Sequence, residues 1–301
     1  KKEPVAEEPE TLQCTKSGNV FTEFDDAIGI NELNLRYLEK NRYTPVTDVR
    51  EVKKRIRAVL NMPSAQNVIH PRFTAIKTIG NRRHQNVYFF SEEDIMVDGV
   101  YIDRPDKSPA GLCTLLLPEN GTDDIPGMEL LMDRLSGEGE IFVFDPRGVG
   151  ACKSRDLTRA GYSMMFGTEH KLNNTANMME MSLLGMRVFD VLRAIAVLKE
   201  YKPGREIPLA GCGLGALYGV FAMALSDEIH TVYLENLLPS FESLVKNRTY
   251  PYHPVYDVFG MLKQVDIPMI LRAFASEKDI RCVNIPEISP DLVVDHYRSE
   301  A

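Results

Sequence analysis

From about residue 110 onward, short apolar runs alternate with segments of helical length. The apolar runs lie at 112–117, 140–144, 207–210, 231–234 and 280–284. The helical segments between them lie at 127–135, 172–201 and 214–225. Strands that are apolar on both faces and alternate with helices are typical of a parallel sheet with helices on both sides. The sequence therefore predicts an α/β fold.

The region before this alternation predicts two helices and then a few strands. One helix is expected over 24–40, and a second begins after Thr47 as its cap and ends at Asn61-Met-Pro63. Runs at 73–79 and 85–90 flank a turn and predict a hairpin, and 96–102 predicts an edge strand. We predict a linker over 1–20 and a single domain over 21–301, with a helical N-terminal extension over 21–63.

Charge and composition exclude several classes of function. The net charge of -8 argues against binding to a nucleic-acid backbone, and no apolar run reaches the ~18 residues of a membrane helix. The five cysteines form no C-x-x-C pair, and no His/Asp/Glu cluster has the spacing of metal ligands. We therefore predict no metal and no cofactor. The sequence does not predict the oligomeric state.

The first ten residues are acidic and contain two prolines, which is typical of a tether. We expect such a start to follow a cleaved signal, a lipid anchor or a preceding domain. The corresponding expectation for location is outside the cytoplasm, in the periplasm or at the cell surface.

Two turns carry most of the chemical information. Phe144-Asp-Pro-Arg-Gly-Val-Gly150 directly follows a buried run, and Pro208-Leu-Ala-Gly-Cys-Gly-Leu-Gly-Ala216 has the order strand, tight turn, helix. Small residues let such a turn bend sharply and let its helix pack closely on the strand. Gly211-Cys-Gly-Leu-Gly215 has the glycine frame of the G-x-S-x-G nucleophile elbow, with Gly213 where serine would stand.

These stretches resemble the acetyl xylan esterase-like branch of the α/β-hydrolases, which is found among bacterial polysaccharide-degrading proteins. The other matching stretches are 182–194, 235–244, 257–262 and 266–268. The resemblance covers roughly residues 110–290 and implies the α/β-hydrolase fold, with a helical N-terminal extension. Because the chain ends at Ala301, the last strand of that fold and its histidine are expected to be absent.

A hydrolase of this kind needs a nucleophile, a base and an acid that orients the base. Gly213 has no side chain that could attack. Cys212 is the nearest substitute, although a small buried cysteine that fills space between strand and helix is the alternative. The resemblance makes Glu287 the candidate acid and His253 a candidate base, against a surface carboxylate and a loop histidine as their ordinary interpretations.

The remaining site residues concern the oxyanion and the support of the site. The backbone around Gly211, Leu214 and Gly215 would form part of an oxyanion region. Asn120 and Gly121 stand where related enzymes often carry a His-Gly turn. Asp145 and Arg147 are expected to brace the site, and Asp190 to form an ion pair with Arg193 within its helix.

Three functions remain open. The first is a carbohydrate-esterase-like hydrolase that cleaves acetyl or similar esters from plant polysaccharide, with impaired or absent catalysis because Gly213 replaces serine. The second is a non-catalytic domain that binds a polysaccharide or an upstream domain of the same protein. The third is a thiol enzyme that uses Cys212. The loss of three catalytic elements favours the second.

Overall fold

The computed structural model describes residues 5–64, 69–106, 111–154, 163–247 and 253–285. Contacts divide the chain into two compact units, Lys1–Arg42 and Tyr43–Ala301. The division of the sequence at residue 20 stays a prediction.

The first unit contains a 3₁₀ helix at Pro9–Leu12 and two α-helices, α1 at Val20–Glu23 and α2 at Ile30–Asn41. The helix predicted over 24–40 begins later than expected, because Gly29 takes the extended cap position of α2.

The second unit begins with α3, Val49–Leu60, whose apolar face is buried. The predicted cap was wrong by one residue. Asp48, which directly precedes the helix, accepts a hydrogen bond from the Arg50 amide at 3.1 Å, so Asp48 caps α3 instead of Thr47. Asn61 ends the helix in the left-handed conformation, as expected of a stop signal.

In the described residues of the second unit, a nine-stranded sheet forms the centre. Its strands are β1 Arg72–Phe73, β2 Lys77–Ile79, β3 Arg82–Glu92, β4 Ile95–Asp103, β5 Cys113–Leu117, β6 Glu140–Asp145, β7 Leu209–Cys212, β8 Thr231–Glu235 and β9 Asp279–Val283. The order is β1-β3-β4-β6-β5-β7-β8-β9, with β2 also paired to β3.

Strands β5 to β9 are mutually parallel, and the strands before them are antiparallel. The hairpin of β2 and β3 and all five apolar runs predicted as strands are confirmed in type. The prediction of an edge strand over 96–102 was wrong, because β4 lies between β3 and β6. Alternation of buried and exposed residues along a strand indicates that one face of the strand is covered. It does not indicate whether both edges of the strand are paired with other strands.

Seven more helices accompany the sheet in the described residues. They are α4 Glu129–Glu138, α5 Ser163–Asn177, α6 Leu183–Tyr201, α7 Leu214–Leu225, α8 Phe241–Lys246, α9 Met261–Gln264 and α10 Ile267–Phe274. The single long helix predicted over 172–201 was wrong, because a turn separates α5 from α6. The Ser182 hydroxyl accepts from the Gly185 amide at 3.0 Å and caps a new helix there.

Alternate residues of the central strands face two cores. Leu115, Phe142 and Leu209 join the larger core with α3, α6, α7 and α10. Leu116, Val143 and Ala210 join a smaller core with Met132 of α4 on the other face. The sheet is therefore mostly parallel and flanked by helices, as predicted. Burial of α7 along its whole length fixes the turn that precedes it.

Residues 286–301, with the predicted final helix and Glu287, lie outside the described residues. Within the described part of the chain, the helices are all too short or too polar to cross a bilayer.

Candidate active site at the turn between β7 and α7

The turn between β7 and α7 has Gly213 at its apex. Gly213 has φ +56° and ψ −119°, a conformation that is strained for any residue with a side chain. A Cβ on Gly211 would lie 2.7 Å from the Gly215 carbonyl oxygen, and one on Gly215 would lie 1.8 Å from the Leu117 carbonyl oxygen. The glycine frame therefore exists because strand and helix approach too closely for side chains.

Glu119 occupies the space above this apex. A Cβ on Gly213 would lie 2.8 Å from Oε2 and 3.1 Å from Oε1 of Glu119. The close approach arises because β5 pairs with β7 in parallel, with Leu117 beside Gly211, so the loop after β5 begins at the edge where β7 ends. A carboxylate thus stands where the side chain of a residue at position 213 would point.

Leu214 is the first residue of α7, so its amide has no acceptor within the helix. The positive end of α7 favours negative charge in the same space. The Glu119 carboxylate lies at this helix end, and the described residues include no hydrogen-bond donor to it. Glu119 is exposed, so its oxygens are accessible to solvent.

Cys212 points away from the apex, toward the end of β8. Asn236 Nδ2 donates to its sulfur at 3.7 Å. Burial raises the pKa of the Cys212 thiol, and the negative charge of Glu235 raises it further. The sulfur is therefore a neutral thiol at neutral pH and a poor nucleophile.

The loop after β5 is tied to itself and to the turn after β6. Both the backbone amide and the side-chain amide of Asn120 donate to Asp124, at 2.9 and 3.0 Å. Gly121 has φ +65°, and a Cβ there would lie 2.0 Å from Asp145 Oδ1. The Asn120 donors are thus directed into their own loop instead of toward the apex.

The turn after β6 is held by buried charges. The Asp145 carboxylate accepts from the Thr122 amide at 2.6 Å, the Thr122 hydroxyl at 2.5 Å and the Ala151 amide at 2.7 Å. Burial raises the pKa of Asp145, and these hydrogen bonds act in the opposite direction. Asp145 therefore fixes the turn to the loop after β5.

Arg147 links the turn after β6 to helix α6. Its Nε and NH2 groups donate to the fully buried Asp190 at 2.8 and 2.6 Å, and its backbone amide donates to the same carboxylate at 2.9 Å. Glu92 completes the cluster at 2.6 Å from the guanidinium. The expected partner of Asp190 was wrong: the carboxylate pairs with Arg147 and not with Arg193 of its own helix.

His253 belongs to a second chain of polar groups. Its Nε2 lies 2.9 Å from Glu169 Oε2, and Glu169 also binds the buried Arg187. Arg187 NH1 donates to the Tyr218 hydroxyl of α7 at 2.8 Å. Although burial alone would raise the pKa of Glu169, hydrogen bonds from His253 and the charge of Arg187 lower it to about 2.

Tyr256 packs against His253 of this chain of polar groups. The rings of His253 and Tyr256 meet edge to face, with centroids 6.2 Å apart. Burial raises the pKa of Tyr256 to about 12, and the charge of Glu119 contributes to that rise. The phenol is protonated at neutral pH and keeps its O–H as a hydrogen-bond donor.

The sequence alone did not predict the places of Glu119, Glu169, Arg187, Tyr218 or Tyr256. One signal was available: Arg187 and Asp190 lie within the apolar first half of a helix, and buried charges require partners. Glu119 gave no local signal, because its place depends on two strands that pair across distant parts of the sequence.

Of the predicted residues, six come together at one edge of the sheet: Gly211, Gly213, Leu214, Gly215, Asn120 and Gly121. His253 binds Glu169 instead of a residue of the turn. The described residues include no group of three or more His, Cys, Asp or Glu able to hold a metal.

No family model and no curated protein matches this sequence. Solved structures do. The chain is similar to a candidate acetyl xylan esterase from Bacteroides fragilis, with a TM-score of 0.71 and 12% identity over 87% of this chain and 77% of that one. It is also similar to a glucuronoyl esterase from Solibacter usitatus, with a TM-score of 0.53 and 10% identity over 78% of this chain and 73% of that one. For an acetyl xylan esterase from a Paenibacillus species the TM-score is 0.51, with 16% identity over 83% of both chains.

The sheet order, the strand-turn-helix at Gly213 and these likenesses define an α/β-hydrolase fold. Solved structures that share this fold include acetyl xylan esterases and a glucuronoyl esterase.

Proposed function

We propose that this chain is an acetyl xylan esterase-like domain that has lost serine-type ester hydrolysis and binds a polysaccharide at the β7–α7 turn. The main support for this proposal is the structure at Gly213. This residue has the strained conformation of an elbow apex but no side chain, and the Glu119 carboxylate lies above it. Acyl transfer by a serine enzyme requires a hydroxyl at this point.

The neighbouring groups support the loss of this chemistry. Cys212 is a neutral thiol directed at Asn236. A negative carboxylate above the apex also opposes the oxyanion that forms during acyl transfer, because like charges repel at short distance. We propose a polysaccharide as the ligand because the chain is similar in structure to carbohydrate esterases.

The test is hydrolysis of a small aryl acetate by the full chain, before and after alkylation of its thiols, with Cys212→Ser as a matched variant. We expect release of the aryl alcohol at the rate of buffer alone in every case. Turnover that alkylation and Cys212→Ser both abolish would establish a cysteine hydrolase and overturn the proposal. Turnover that survives both changes would reveal another nucleophile and overturn it equally.

A further inference from the structure

A small cavity lies at the edge of the sheet opposite the β7–α7 turn, where β4 ends and β6 begins. The parallel strands have their carboxyl ends at the turn and their amino ends on the side of this cavity. The cavity has a volume of about 170 Å³. An engineered cavity of about 150 Å³ holds one benzene ring, so there is room here for one six-membered ring. We call it the Tyr101 cavity, and its lining includes Arg83, Gln85, Tyr101, Asp103, Tyr201 and Lys202.

Two ion pairs shape the charge of the Tyr101 cavity. Arg83 donates to the Asp103 carboxylate through Nε, at 2.8 Å, and through NH2. Lys202 Nζ lies 3.2 Å from Glu140 Oε1. A ligand ion of either sign would displace one member of a pair and leave the other without its counter-charge. The cavity therefore suits a neutral ligand.

Hydrogen-bonding capacity remains after these pairs have formed. Arg83 is exposed, and its NH1 group makes no hydrogen bond to the described residues. The Asp103 carboxylate has further lone pairs. Gln85 donates through Nε2 to the Thr74 carbonyl at 2.9 Å, which leaves Oε1 as an acceptor. Donors and acceptors side by side match adjacent sugar hydroxyls, because each hydroxyl both donates and accepts.

Aromatic rings form the apolar part of the cavity wall. Phe73 stacks on Tyr201 with ring centroids 4.3 Å apart, and Tyr101 meets Tyr201 edge to face at 6.1 Å. Lys202 Nζ lies 4.1 Å from the centroid of the Tyr101 ring. These contacts fix the rings in advance, which lowers the entropy cost of binding. Tyr201 is still 37% exposed, so the C–H face of a sugar ring can pack against it.

The hydroxyl of Tyr101 is an unsatisfied donor in this wall. Tyr101 is only 5% exposed, and among the described residues its hydroxyl has no hydrogen-bond partner of normal geometry. Burial raises the pKa of the phenol, and Glu140 lies close enough to raise it further, so the O–H keeps its proton. Buried polar groups in proteins are almost always paired with protein atoms or water. A ligand oxygen, or a water held by the ligand, would supply the missing acceptor.

We propose that the Tyr101 cavity binds one neutral sugar residue of a polysaccharide. Two adjacent hydroxyls of the sugar bond to the Arg83–Asp103 pair, and the apolar face of its ring packs against Tyr201. The inference goes beyond the proposed function, because it places a second point of contact with polysaccharide at the opposite edge of the sheet. It depends on neither Gly213 nor Glu119.

The test is calorimetric titration of the full chain with xylohexaose, a neutral oligosaccharide, together with hydrogen exchange to locate the contact. We expect slower exchange in peptides that cover 82–85 and 101–103. Asp103→Asn should weaken this binding by about 10-fold or more, because a hydrogen bond to a charged group becomes one to a neutral group. Asp279→Asn changes an exposed ion pair on β9 and should preserve the affinity. Tyr201→Ala should weaken binding, whereas Tyr201→Phe keeps the ring and should retain it.

The outcomes separate this inference from the proposed function. Slower exchange at the β7–α7 turn alone would overturn the inference and leave the proposed function standing. Affinity and exchange that neither Asp103→Asn nor Tyr201→Ala changes would also overturn it. Slower exchange at the Tyr101 cavity alone would support the inference and contradict binding at the turn. No binding of xylohexaose would overturn both, and circular dichroism of each variant establishes that it is folded.

Discussion

His253 Nε2 lies 2.9 Å from Glu169 Oε2, and the same carboxylate binds the buried guanidinium of Arg187. These two partners lower the pKa of Glu169 from 4.5 to about 2, even though burial acts to raise it. A folded-state pKa below the unfolded value adds stability above about pH 4.5, and this stability is lost as the pH falls toward about 2.

The first prediction concerns this pH dependence. Between about pH 5 and about pH 3, Glu169 should account for a loss of about 2 kcal/mol in the free energy of unfolding. In Glu169→Gln that part of the pH dependence should disappear, and Glu93→Gln should retain it. Urea denaturation at each pH measures both. Identical pH profiles for wild type and Glu169→Gln would contradict the assignment.

A second prediction concerns Arg147. Replacement by methionine leaves the fully buried Asp190 carboxylate without its guanidinium, and removal of one partner of a buried pair costs about 3–5 kcal/mol. Arg281 forms an exposed pair with Asp279, so Arg281→Met should cost less than about 1 kcal/mol. Chemical denaturation at neutral pH compares the two. Equal losses would show that the Arg147 cluster contributes no more than a surface pair.

Glycines with positive φ give a third prediction, with an internal control. Gly150 and Gly80 have φ +51° and +60°, so alanine is strained at both. A Cβ at Gly150 would lie 2.3 Å from Asp145 Oδ2, whereas at Gly80 it would meet no atom within 4 Å. We expect Gly150→Ala to destabilise the fold by about 1–3 kcal/mol more than Gly80→Ala, as overpacking does. Similar midpoints of thermal unfolding for both variants would contradict the packing of Asp145.

The fourth prediction is the order of thiol reactivity. Cys14 is exposed, whereas burial and Glu235 raise the pKa of Cys212. Iodoacetamide should therefore modify Cys14 first at neutral pH, and modification of Cys212 should still accelerate as the pH rises through about 9. Peptide mass spectrometry follows each site. Faster modification of Cys212 than of Cys14 at neutral pH would mean that a thiolate exists at the turn.

The fold could be predicted from sequence because its signals are local. A run such as 140–144 is apolar at every position, which indicates a strand buried on both faces. The glycines of Gly211-Cys-Gly-Leu-Gly215 indicate a tight turn without knowledge of any distant residue. The edge position assigned to β4 failed because strand order depends on pairing, which a single run does not encode.

Most of the candidate site could not be predicted for a related reason. Asp190 was paired with Arg193 by helical spacing, but its carboxylate is buried and binds Arg147 from a turn across the sheet. Glu119 and Gly213 meet because β5 and β7 are neighbours, although they are far apart in sequence. Side-chain pairs of this kind follow from tertiary structure alone.

The proposed function requires that no group at the β7–α7 turn carries out acyl transfer. The most direct measurement is the intact mass of the full chain, quenched during exposure to an activated aryl acetate, followed by peptide mapping of 209–215 and of the loop that contains Glu119. We expect no acetyl adduct on Cys212 or Glu119 and no release of aryl alcohol above the rate in buffer. A stoichiometric acetyl group on either residue, formed and lost during turnover, would contradict it.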